Sequence, residues 1–270
     1  MLSVIMSGLN VAQKELSVVA NNLANASTFG FKRSDASFLD VFSTNPSANP
    51  KVLVGMGAVT GEVSRDTGQG SLTSTGKVTD LAIAGSGYFV LKNGETETYT
   101  RAGNFNVDKD GFICSSDGGR LQSYKPKEDG TADEAATTMQ DTKIEMSMQK
   151  NGNTVTLQSV AVDQRGLVTA GYSDSSTVYI GYIGLASFGK EQSLNSLGGA
   201  KFAATSDSGE AVYSKSGMPT GTIMSGTLEQ ANVDVTKELM TMLRSQQVYA
   251  GNARMLQTAV ELTQRMTDKL

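Results

Sequence analysis

Leu2, Ile5, Leu9, Ala12, Leu16, Val19 and Leu23 recur at alternating intervals of three and four residues without a miss. Such spacing predicts an α-helix with a narrow coiled-coil seam rather than the broader stripe of a helix leaning on a globular core. The opposite side carries the polar residues Ser3, Asn10, Lys14, Ser17 and Asn21. The stripe dissolves at Asn21-Asn22 and Asn25, and Ala26 to Gly30 reads as a break, with Gly30 able to take a positive φ. The far end of the chain repeats the design. Asp234 or Asn232 offers an N-cap and Glu238 suits a first turn. Val235, Leu239, Met242, Tyr249, Ala253, Leu256 and Val260 then follow the three-four rule, interrupted by polar Gln246 and Thr263. Gln246 is the candidate for specifying register. Lys269 suits a helix C-terminus, and Pro46, Pro50, Pro126 and Pro219 all fall outside both helices.

Between the helices the chain reads as β. Alternating or β-branched runs occur at Val52–Val54, Leu81–Ile83, Tyr88–Leu91, Phe105–Val107, Thr154–Val162 and Val178–Leu185, with Asn93-Gly94, Asp110-Gly111 and Asn151-Gly152 as hairpin turns. Lys125 to Asp141 is polar and reads as an exposed loop or sub-domain edge. Twenty-nine glycines and no tryptophan in 270 residues suit short strands on glycine turns. The expected fold class is α+β. The terminal helices pair as a coiled-coil-like stalk around an all-β body of short antiparallel strands. The expected divisions are 1–42 for the N-terminal helix and extended arm, 43–225 for the β body and 226–270 for the C-terminal helix. Seams this regular exceed what the β body needs for its own core, so pairing within the subunit is expected together with packing against neighbours.

The residue inventory argues against catalysis. No histidine is present to serve as a base near neutral pH, and one cysteine, Cys114, allows neither an internal disulfide nor a cysteine metal cluster. Cys114 reads as a small core or turn residue. Gly70 to Val78 resembles a phosphate loop but holds five residues between its glycines, and Val78 stands where a hydroxyl should bind magnesium. Gly55, Gly57 and Gly61 miss the dinucleotide spacing, and Asp108-Lys109-Asp110-Gly111 lacks the later ligands of a calcium loop. No enzyme activity, cofactor or metal is expected. A net charge of −4 without a basic block argues against nucleic acid. No apolar stretch is long enough to span a bilayer, and the N-terminal helix lacks the basic face and aromatic anchors of a membrane-surface helix. Gln13, Lys14 and Glu15 interrupt the first apolar run, so no cleavable signal peptide is expected.

Four stretches carry a resemblance. Ala20-Asn21-Asn22-Leu23-Ala24-Asn25-Ala26-Ser27-Thr28-Phe29-Gly30-Phe31-Lys32 resembles the N-terminal signature of flagellar rod and hook proteins. Leu228-Glu229-Gln230-Ala231-Asn232-Val233-Asp234 resembles that family's entry to its C-terminal helix, with Ala231 where serine is usual. Asp80 to Val90 and Tyr99 to Phe105 resemble its central strands. The resemblance implies an axial subunit that stacks helically with copies of itself and with other rod and hook subunits. Paired terminal helices would form the inner tube and β domains would face outward. It also implies export by the flagellar type III apparatus without a cleaved signal, to the periplasm-spanning rod or the external hook. The modest span between the helices favours the rod. Ala36 to Phe42 and Ile183 to Phe188 look hook-like, so a hook subunit is the alternative, and a membrane-active amphipathic protein a more distant one. The family motif residues are Asn21, Asn22, Leu23, Asn25, Gly30, Phe31, Lys32, Asn232 and Asp234. The expected assembly interface is the stripe residues Leu2, Ile5, Leu9, Leu16, Val19, Leu23, Val235, Leu239, Met242, Tyr249, Leu256 and Val260.

Overall fold

The computed structural model describes residues 2–42, 55–127, 131, 138–150, 153–216 and 220–268. Val52–Val54, the Asn151-Gly152 turn, Pro46, Pro50, Pro219, Lys269 and much of Lys125 to Asp141 lie outside the described residues. The chain divides into two compact units. One comprises Met1–Ala26, Arg33–Asp66 and Val233–Leu270; the other comprises Ser27–Lys32 and Thr67–Asn232. The arm and the start of the expected 43–225 body therefore go with the terminal helices.

In the first unit α1 spans Leu2–Ala24 and α2 spans Val235–Thr267, with β1 (Ser34–Phe42) and β2 (Gly55–Arg65) forming an antiparallel hairpin. The sequence predicts only an extended arm here and does not reveal the hairpin. Gly55, Gly57 and Gly61, which miss the dinucleotide spacing, are strand residues of β2. A Cβ at Gly57 would lie 2.2 Å from Ser7 Oγ, so the bare glycine lets the strand approach α1 closely. Helix α1 also runs past Asn21-Asn22, where the stripe dissolves. The helix end is closed by Asn25, whose backbone N–H and Nδ2 donate to the Asn21 carbonyl at 3.2 and 2.9 Å. Asp234, not Asn232, caps α2, accepting from the N–H groups of Thr236 and Lys237 at 2.9 and 3.2 Å.

The second unit is an antiparallel β body, with a sheet of 13 strands among the described residues. Four of the strand runs read from sequence recur as Leu81–Ala84, Tyr88–Asn93, Asn153–Val162 and Thr177–Ser187, and a two-residue strand, Asn106–Val107, falls in the fifth. Tyr88 to Leu91 of the Tyr88–Asn93 strand are buried on both faces. Phe89 and Leu91 enter a core with Leu81, Ile83, Phe105, Ile183 and Leu185, while Tyr88 and Val90 enter a second core with Tyr99, Phe188 and Phe202. Two-fold alternation into two cores is why that run is continuously apolar. The second core is aromatic, with Tyr99 and Phe188 edge-to-face at 4.8 Å. Cys114 is half-buried in the short strand Ile113–Cys114.

Candidate assembly site

Five of the nine motif residues fall into two polar clamps: Gly30, Phe31, Lys32 and Asn232 in the β body, and Asn22 in the helix unit. In the β body, Gly30 has φ +67, and a Cβ there would stand 2.4 Å from the Ala102 nitrogen, so only glycine fits. Its N–H donates to the Glu229 carbonyl at 2.8 Å, which delivers Lys32 to the Glu229 side chain. Lys32 Nζ lies 2.7 Å from Glu229 Oε1 and donates to the Gly68 carbonyl at 2.8 Å. Arg101 Nη1 reaches Glu229 Oε2 at 3.2 Å, and the Gly70 N–H donates to Oε1 at 2.9 Å. Gly70, the first glycine of the phosphate-loop lookalike, thus serves a carboxylate of its own chain. Lys32, Arg101 and Glu229 are all at most 3% exposed. Burial lowers the Lys32 pKa below the usual lysine value, against the attraction of Glu229. Asn232 Nδ2 also donates to the Gly68 carbonyl, at 3.0 Å, and half-buried Phe31 accepts from the Asn232 N–H at 3.4 Å.

In the helix unit Asn22 is 1% exposed and acts as a strand mimic. Its Nδ2 donates to the Ser34 carbonyl at 2.8 Å while its Oδ1 accepts from the Ser34 N–H at 3.0 Å. Nδ2 also donates to Glu238 Oε2 at 3.2 Å, and Arg33 Nη1 approaches Glu238 Oε1 at the same distance. Arg33 pairs with Asp35 as well. Asn21 is exposed, with its carbonyl serving Asn25 as described. Sequence reasoning misses Glu229, Arg101 and Glu238 as functional residues. Glu229 and Arg101 stand inside the quoted motifs, but nothing in the spacing says that a carboxylate meets a cation 197 positions away.

On α1 part of the stripe is buried, whereas on α2 the buried positions lie beside the stripe. Helices α1 and α2 run antiparallel side by side, since Asn22 meets Glu238, Glu15 accepts from Ser245 Oγ at 2.7 Å, and a Cβ at Gly8 would lie 2.7 Å from Asn252 Nδ2. On α1 the buried apolar residues are Ile5, Ala12 and Val19. Leu9, Leu16 and Leu23 are only half-covered and Leu2 is exposed. On α2 the buried residues are Glu238 and Ser245. Met242 and Leu256 are half-buried, whereas Val235, Leu239, Tyr249 and Val260 are exposed. Gln246 is exposed, so the polar seam positions are its neighbour Ser245 and the residues in line with it. Larger apolar side chains that the stripe omits stand further out: Met240 is 66% exposed, Leu243 59%, Leu262 63% and Met266 71%. The buried positions of α2 are polar, and much of the helices' bulky apolar surface stays uncovered.

Known proteins supply the context for this geometry. Residues 2–32 match the family described as flagella basal body rod protein, residues 82–170 the flagellar hook protein FlgE/F/G D1 domain, and residues 224–269 the flagellar basal body rod FlgEFG protein C-terminal region. The flagellar basal-body rod protein FlgG of Caulobacter vibrioides is 33% identical over 273 residues, covering 96% of this chain and 94% of the relative. The flagellar hook protein FlgE of Treponema pallidum is 40% identical over 131 residues, covering 44% of this chain and 28% of the hook protein. Among solved structures, the hook protein FlgE2 of Helicobacter pylori aligns with TM-score 0.26 and 12% identity, over 73% of this chain and 43% of that one, too loosely to carry a fold argument. Three matched segments that reach both terminal helices, and near full-length likeness to a rod protein, lead to one conclusion: the chain belongs to the flagellar rod and hook protein family.

Proposed function

We propose that the chain is a structural, non-enzymatic subunit of the flagellar rod that polymerises through its terminal helices. The observation that carries this reading is the helix pair. Its inner seam buries two α2 residues, both polar, while Met240, Leu243, Leu262 and Met266 face solvent. A helix pair that leaves this much apolar surface uncovered suits a partner surface. Copies of the same chain are the natural cover in a polymer, and each large apolar side chain fully buried there contributes about 1.5–3 kcal/mol. Coiled-coil packing between subunits, neighbouring rod and hook subunits as further partners, and delivery by the type III apparatus belong to the same proposal.

The rod is favoured over the hook because likeness to the rod protein runs nearly end to end, whereas the hook match spans 28% of the hook protein. The test is polymerisation of the purified chain, followed by sedimentation and electron microscopy. Leu243→Asp and Leu262→Asp alter exposed positions, so the β body should keep its near-ultraviolet circular dichroism while filaments disappear. Filaments at wild-type yield from both variants would refute the outer face as the contact.

A further inference from the structure

Each terminal helix carries polar or small residues at seven-residue intervals, and the two series meet. Gly8, Glu15 and Asn22 of α1 lie against Asn252, Ser245 and Glu238 of α2, in that order. One step of seven along one helix matches one step of seven back along the other. Beside this ladder runs the buried apolar line Ile5, Ala12 and Val19, also at seven-residue spacing.

Contacts of that period define the mating face but not the register, because a slip of seven residues, about 10 Å, restores the same face. Smaller slips rotate Gly8, Glu15 and Asn22 off the face that meets α2, so only heptad slips must be excluded. The polar residues exclude them. A slip that brings Glu15 opposite Glu238 sets two carboxylates face to face and strands Asn22. The opposite slip puts Asn22 against Ser245 and leaves Glu238 without Asn22. Only the observed register gives Glu238 (3% exposed), Ser245 (0%) and Asn22 (1%) their hydrogen bonds together. Arg33 adds a second donor to Glu238, and Ser34 holds Asn22 through both backbone groups.

We infer that this ladder is a register lock: Asn22–Glu238, Glu15–Ser245 and Gly8–Asn252 select one of several heptad-related pairings and so fix which apolar residues the helix pair presents to another copy of the chain. Its consequence for assembly rests on the polymer reading; the register itself does not.

Disulfide trapping in the full-length chain, with Cys114→Ser, tests it. Gly8→Cys is combined in turn with Asn252→Cys, which reports the observed register, and with Ser245→Cys or Ala259→Cys, which report slips of one heptad. With Glu15, Asn22 and Glu238 intact, the 8–252 pair should close at least about tenfold more than either slipped pair. In a Glu15→Leu, Asn22→Leu, Glu238→Leu background, a slipped pair should rise to within about threefold of it. Should the leucine background lose helix by circular dichroism, Glu238→Lys decides instead. It places a cation beside Arg33 in the observed register and opposite Glu15 after one slip, so the 8–245 crosslink should gain. Exclusive 8–252 closure in the leucine or the lysine background, or a slipped pair favoured in the intact chain, overturns the lock. If the Gly8→Cys, Asn252→Cys pair closes while the wild-type chain never sediments as a polymer, the assembly reading sinks and the lock stands.

Discussion

Glu229 faces two cations, Lys32 and Arg101, in a site with almost no solvent. Replacing one partner of such a cluster leaves charge buried without compensation, at a cost of about 3–5 kcal/mol. Glu229→Gln, which strands both cations, should therefore fall in that range by urea unfolding followed on tyrosine fluorescence. Lys32→Met should cost less, because Arg101 still holds the carboxylate, and an equal loss would mean that Arg101 contributes nothing. Gly30 allows a parallel comparison. With φ +67 and backbone atoms inside 3 Å of where an alanine Cβ would stand, Gly30→Ala should destabilise by more than about 2 kcal/mol. Gly118 has φ +87 but nothing within 4 Å, so Gly118→Ala should cost only about 1 kcal/mol of left-handed strain.

At the scale of the element, α1 is best described as three lines of heptad spacing. Ile5, Ala12 and Val19 are buried, Gly8, Glu15 and Asn22 meet α2, and Leu2, Leu9, Leu16 and Leu23 are exposed or half-covered. The sequence stripe merges the first and third lines, because alternation of three and four describes adjacent lines equally well. Leu9→Asp or Leu16→Asp should therefore block polymer formation while leaving the β body folded, as read by sedimentation alongside near-ultraviolet circular dichroism. Normal polymer yield from either variant would mean that the leucine line contacts no neighbour. Ile5→Asp and Val19→Asp differ in kind: they put a charge at buried positions and should also reduce the helicity of the unassembled chain. At the start of α2, Asp234→Ala removes the acceptor for two N–H groups and should cost about 1 kcal/mol of helix stability, measured as lost ellipticity at 222 nm.

For the molecule as a whole, the units have separate stabilising logic. The β body has its own apolar cores, whereas the helix unit leaves large apolar residues of α2 in water. Polymerisation that covers those residues should carry a negative heat-capacity change, seen as association growing more exothermic with temperature in calorimetry. A value near zero would mean that polar contacts drive assembly. The helix–β–helix order, the capping aspartate's neighbourhood, several strand runs and the family motifs were all legible in the sequence, because periodicity and turn chemistry act over a few residues and leave local marks. Which helical line turns inward, the hairpin hidden in the arm, and the partners of Glu229, Glu238 and Asn22 were decided only by the tertiary structure. A heptad repeat fixes the spacing of side chains along a helix but not which flank is covered. A buried carboxylate, likewise, is defined by donors that the chain brings back from about two hundred residues away.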